Sequence, residues 1–168
     1  AGVPHTFDLA EAAGPDRILG PSVRLLTQAG GRMDPAAQER WRARAAANDA
    51  EFVVMYGQTE ATARMAFLPP RLAASCPGAV GIAIPGGELR IEPVADRTDG
   101  VGELVYRGPN VMMGYATEPR DLAEGAVLDQ LRTGDLGRFD PVHEVFEVVG
   151  RTSRFIKPFG LRIDLDVV

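Results

Sequence analysis

The chain has 168 residues, 45% of them hydrophobic and 24% charged, enough for one good core and a second small lobe. Its net charge of −5 argues against nucleic acid as a partner, no apolar run approaches the roughly 20 residues of a membrane span, and no basic-then-apolar leader opens it. One cysteine and two histidines exclude an internal disulfide and fall short of the usual zinc set, so no structural metal and a cytoplasmic location are expected.

In chain order, "PSVRLLTQAGG" reads as a buried strand over 22–27 ending in Gly30 and Gly31. "MDPAAQERWRARAAAN" then carries helix-start chemistry, with Asp34 as N-cap, Pro35 at the first helical position and Asn48 near the stop. Residues 52–55 are again strand-like. Strand, helix, strand at this spacing predicts a βαβ unit with parallel strands and a right-handed crossover. Both strands end in polar, glycine-bearing turns, "TQAGG" and "YGQTE", which face the same edge of the sheet, and ligands of open α/β sheets bind beyond the carboxyl ends of strands. His5, beside Pro4 at an expected strand end, reads either as a pocket residue or as a surface one; Cys76, between Ser75 and Pro77, reads as a loop bystander.

From Glu88 the texture changes to short alternating segments, "ELRIEP", "GELVYRGP", "LGRFDP" and "EVFEVVGR", separated by turn residues, with one short helix near 119–124. This spacing predicts a small antiparallel barrel or twisted sheet. Charge follows the same division: residues 1–86 hold eight acids and eight bases, and residues 87–168 hold fifteen acids and ten bases. Three regions are therefore expected: a partial α/β subdomain over 1–86, a β-rich subdomain over 87–150, and a strand region over 151–168. A lone βαβ unit leaves parallel edges open, so the chain reads as a piece of a larger protein, with self-association of the exposed edges expected.

Four segments, "YGQTE" at 56–60, "GELVYRGPNVMMGY" at 102–115, "RTGD" at 132–135 and "GRTSRFIKPFGLR" at 150–162, resemble successive core motifs of the adenylate-forming superfamily, with "LLTQAGG" upstream. The wording is most similar to bacterial AMP-forming acyl-CoA synthetases. The resemblance implies the central part of a larger adenylation domain: a βαβ portion, then a small barrel-like β subdomain, ending at the hinge before a C-terminal lobe. It also implies the chemistry, in which ATP and Mg²⁺ activate a carboxylic acid as an acyl-adenylate and a thiol, coenzyme A or a carrier-protein phosphopantetheine, takes the acyl group. Thr59 then bonds the α-phosphate and Glu60 holds Mg²⁺. Asp135 accepts from the ribose hydroxyls with Arg151 assisting, and Arg162 joins the nucleotide contacts. Gly30 and Gly31 pass backbone against the adenine and acyl groups, Tyr56 stacks near the base, and Gly57 gives its loop room.

The residue types suit these roles. Mg²⁺ prefers hard oxygen ligands and keeps several waters, and a carboxylate accepts two bonds from a cis-diol. Taken alone, however, Thr59 and Glu60 equally fit an ordinary helix cap, and "RTGD" an ordinary turn. The aromatics and methionines of "NVMMGY" are expected in core or inter-lobe packing. Against the family pattern, the loop gripping the β- and γ-phosphates falls before Ala1, the adenylation lysine falls after Val168, and Ser153 stands at a hinge position commonly aspartate. Lys157, the sole lysine, precedes the Gly160-x-Arg162 motif and cannot replace the missing one. The isolated chain is therefore expected to adenylate little or not at all. Two other readings stay open: a non-catalytic nucleotide- or partner-binding module, and an adenylation domain that loads a carrier protein.

Overall fold

A computed structural model of the chain describes residues 1–95 and 97–152 and two short strands at 155–156 and 163–164. Two α-helices are described, α1 (Pro4–Ala13) and α2 (Pro35–Ala47). The strands are β1 (Leu25–Gln28), β2 (Glu51–Tyr56), β3 (Ala66–Phe67), β4 (Ala79–Ala83), β5 (Glu88–Pro93), β6 (Gly102–Arg107), β7 (Leu131–Asp140) and β8 (Val145–Arg151), with β9 (Phe155–Ile156) and β10 (Ile163–Asp164) as a separate antiparallel pair. β1 to β8 form one mixed sheet in the order β1-β2-β3-β4-β8-β7-β6-β5. The fold is α/β, and among the described residues no helix is long and apolar enough to cross a membrane.

The βαβ unit forms where its local chemistry demands. Asp34 accepts from the Ala37 N–H at 3.1 Å, Pro35 opens the helix, and the backbone N–H of Asn48 closes it on Ala45 and Ala46. β1 and β2 pair in parallel, Leu25 opposite Glu51 through Gln28 opposite Val54. Their neighbour on the far side of β2 is β3, an antiparallel strand of two residues, so that side of β2 is paired.

The sequence signals miss α1. Its N-cap, Val3, offers no side-chain acceptor, and the available cap is Thr6 Oγ1, which accepts from the Val3 N–H at 3.3 Å. Gly2 just before it bridges Gln28 in parallel, so Pro4 and His5 do follow an extended segment, but His5 lies in the first turn of a helix. Phe7 of α1 meets Trp41 of α2 edge-on at 5.1 Å and Phe52 of β2 at 5.5 Å, which seats both helices against the Phe52 face of the sheet. Glu11 clasps the pair from outside, accepting from Arg44 at 2.7 Å with Arg40 at 3.4 Å.

A second core lies among β5 to β8 and includes Leu89, Leu104, Tyr106 and Leu131. Its strands are antiparallel, and β4 joins them to the first unit by pairing with β3 on one side and β8 on the other. Gly81 makes that seam possible. Its φ is +86°, the register shifts beside it, and a Cβ there would stand 1.9 Å from the Phe67 carbonyl oxygen. The turn between β4 and β5 contains the expected boundary at 86–87, and one sheet runs across it. The short helix expected near 119–124 is a 3-10 helix over Pro119–Ala123.

Candidate functional site

The segment after β2 folds into the second core rather than starting a helix. Ala61 and Met65 are fully buried there, and residues 59–61 make a single 3-10 turn followed by two left-handed residues, Thr62 (φ 51°) and Ala63 (φ 66°). The capping alternative for Thr59 and Glu60 fails. The N-cap is Gln58, with no side-chain capping bond, and no α-helix follows. Thr59 is exposed, while Glu60 is half-buried.

The doubling-back explains Gly57. A Cβ at this position would lie 2.4 Å from the Ala63 carbonyl oxygen and 2.8 Å from the Arg64 Cα, so the chain's own backbone requires the glycine. The turn is held from outside by Asn110, whose Nδ2 donates to the carbonyls of Ala61 (2.6 Å) and Arg64 (2.8 Å) while its Oδ1 accepts from Tyr106 at 2.7 Å.

This turn brings the end of β2 onto β7. Asp135, 4% exposed, is paired in register with Arg151 across β7 and β8. Its Oδ2 accepts from the Tyr56 hydroxyl at 2.7 Å and from Gln58 Nε2 at 3.1 Å, and its Oδ1 accepts from Arg151 Nε. Gln58 also donates to the Thr133 carbonyl at 2.7 Å. Thr133 Oγ1 bonds the Leu104 carbonyl at 2.7 Å and accepts from the Asp135 N–H at 3.0 Å, fixing the backbone beneath the carboxylate. Burial, reinforced by the Asp135 charge, pushes the Tyr56 hydroxyl well above its ordinary value. Tyr56 is therefore a permanent donor.

Beside this cluster, Glu60 Oε1 accepts from the Tyr115 hydroxyl at 2.6 Å, and the Glu60 carbonyl accepts from the Met112 N–H at 2.8 Å. Tyr115 is 72% exposed and Met113 64%, so these two lie outside the core of the described residues. Gly30 and Gly31 leave β1 at the edge from which the 57–60 segment leaves β2. Gly30 has φ +77°, both glycines are exposed, and Gln28 Nε2 holds the turn through the Gly31 carbonyl at 2.8 Å. Ser153, Lys157 and Arg162 lie outside the described residues. Residue spacing identified neither Gln58 nor Asn110 as a contact. Both stood inside the recognised segments, and a polar amide within such a segment was the available signal.

Residues 1–116 match the family model described as AMP-binding enzyme. A 2-succinylbenzoate–CoA ligase of Listeria innocua is 29% identical over 136 residues, 81% of this chain and 27% of the ligase. An amide bond synthetase of Marinactinospora thermotolerans superposes with a TM-score of 0.77 at 28% identity, covering 96% of this chain and 33% of that one. An o-succinylbenzoate coenzyme A synthetase of Bacillus subtilis, solved in complex with AMP, gives 0.70 at 25% identity, covering 92% and 31%. The chain thus spans about a third or less of the length of each of these relatives. With the family model matched over more than half its residues, the chain belongs to the AMP-binding enzyme family.

Proposed function

We propose that this chain carries the ribose-facing and metal-facing part of an ATP-dependent acid-activating ligase, which forms an acyl-adenylate and passes the acyl group to a thiol of coenzyme A or a carrier-protein phosphopantetheine. The carrying observation is the buried Asp135 carboxylate, joined at the end of β2 by Tyr56 and Gln58 and flanked across the sheet by Arg151. A carboxylate fixed at this place is the acceptor a nucleoside cis-diol needs. Of its roughly four lone-pair directions, Tyr56, Gln58 and Arg151 use three. Binding both hydroxyls then requires Arg151 or Gln58 to turn its donor toward the ligand.

Mg²⁺ fits Glu60. The half-buried carboxylate is a hard oxygen donor, held by the Tyr115 hydroxyl on one oxygen, beside the exposed Thr59. When bound, the ion supplies neutralisation of phosphate charge. Thr59 would then orient the α-phosphate by its hydroxyl, Asp135 and Tyr56 would fix the sugar, and Gly30 and Gly31 would let the base and acyl group lie against backbone.

A second reading rests on the same carboxylate: with three internal donors satisfied, Asp135 also works as a latch between the two cores in a protein that only binds. Thermal denaturation with AMP, and with ATP plus Mg²⁺, tests the first reading. A ligand at 100 times its Kd stabilises by about 2.7 kcal/mol. The expected outcome is a nucleotide-dependent rise in Tm that Asp135→Asn removes. No rise with either nucleotide, or the same rise in Asp135→Asn, contradicts the proposed ribose site.

A further inference from the structure

We propose a second ligand site, for a borderline-soft divalent cation of the zinc class, formed by Cys76, Asp140 and His143. Among the described residues these three alone bring a sulfur, an imidazole nitrogen and a carboxylate oxygen within 4.8 Å of one another. The chain has one cysteine and two histidines, so the count alone argued against zinc, yet the fold carries the cysteine to one of the histidines.

Each donor is placed by its own element. Cys76 follows the 3-10 turn at 70–72, its N–H bonding the Leu72 carbonyl at 2.9 Å, and its carbonyl accepts from Ala79 at 3.2 Å to close the turn into β4. β4 pairs with β8, and Cys76 shares the first core with Val145, the first residue of β8. Asp140 and His143 bracket the hairpin between β7 and β8. Asp140 Oδ1 accepts the N–H groups of Val142 (2.8 Å) and His143 (3.4 Å), while its Oδ2 meets His143 Nδ1 at 2.7 Å. The hairpin thus holds two of the three donors by local contacts.

The donor set chooses the ion. Mg²⁺ and Ca²⁺ take oxygen shells, whereas thiolate with imidazole and carboxylate suits Zn²⁺. Bonds of about 2.3 Å to sulfur and about 2.0–2.1 Å to nitrogen put the donors of a tetrahedral ion about 3.6 Å apart. The three donors, now within 4.8 Å of one another, must draw toward that spacing, and the Asp140–His143 hydrogen bond at 2.7 Å must open to admit the ion. Three protein ligands leave a tetrahedral cation one position for water, and binding would release the Cys76 thiol proton to solvent. The site differs in chemistry from the all-oxygen arrangement at Glu60. It is also carried by different strands.

Cobalt is the probe. Titrating the reduced chain with Co²⁺ is expected to give a thiolate-to-cobalt charge-transfer band that saturates at about one ion per chain and disappears on addition of Zn²⁺. Cys76→Ser abolishes the band. Because Cys76 is buried, the second variant is His143→Gln, in a partly exposed hairpin whose folding it leaves intact, checked by circular dichroism; it weakens cobalt binding by at least roughly tenfold. No charge-transfer band in the reduced chain, or a band that survives His143→Gln with undiminished affinity, overturns the proposal.

Discussion

Asp135 gathers donors from three directions, and the weight each carries can be measured singly. The Tyr56 hydroxyl is held protonated by burial and by the neighbouring carboxylate, so it donates to the Asp135 side chain across the neutral range. Such bonds contribute about 1.5–3 kcal/mol, and Tyr56→Phe is expected to lose that amount in urea denaturation, with the loss constant between pH 6 and about pH 9. A loss that changes across that interval would mean that Tyr56 ionises. Gly57→Ala acts differently. Its Cβ meets backbone at 2.4 Å and cannot be relieved by a rotamer, so the 57–65 turn must move, costing at least about 1–3 kcal/mol. The family resemblance assigns Tyr56, Asp135 and Arg151 to nucleotide contacts, and in the fold Tyr56 and Arg151 both bond the Asp135 carboxylate. Gln58 to Asp135 spans 77 residues, and no local pattern encodes a pairing at that distance.

Among the elements, α2 and α1 contrast. α2 was legible because Asp34 and Pro35 are unambiguous start signals, and Asp34→Ala is expected to cost about 1 kcal/mol, read as a lowered midpoint at unchanged m-value. α1 was illegible because Val3 carries no capping oxygen, and its position is set by Phe7 against Trp41 and Phe52, a tertiary cause. β3 is two residues long and β4 is interrupted by Gly81 and flanked by Pro77 and Pro85, so neither offers a period to read. The α1–α2 clasp is also a pH device. The hydrogen bond from Arg44, aided by the Arg44 and Arg40 charges, holds the Glu11 carboxyl below its ordinary value near 4.5. With a depressed folded pKa, the unfolded chain binds protons first, so the stabilisation is complete above pH 4.5 and is lost as pH falls through the folded pKa. For a partly exposed pair it amounts to about 0.2–1 kcal/mol. Glu11→Gln should match that loss at pH 7 and differ from the parent by nothing at the acid end; a difference that persists there points to packing instead.

At the scale of the molecule, two cores share one sheet, and the seam between them is narrow. β3 contributes two residues and β4 five, with Gly81 at the crossing where Phe67 leaves no room for a side chain. Tyr56, Gln58 and Asp135 reinforce the seam from the end of β2, so the proposed nucleotide site sits where the two cores are joined. A ligand bound there would stabilise the junction and, through it, both cores. The sole tryptophan, Trp41, is wholly buried in the first core with both α-helices and reports on that core alone, whereas β5 to β7 line the second. If the seam couples the cores, Trp41 fluorescence and the NMR amide signals of β5 to β7 follow one transition in the parent chain. Gly81→Ala forces a Cβ to 1.9 Å from backbone at a φ of +86° and should split them, the two signals then melting at different denaturant concentrations. Coincident transitions in Gly81→Ala, merely shifted to lower denaturant, would show that the cores are joined by contacts other than this crossing.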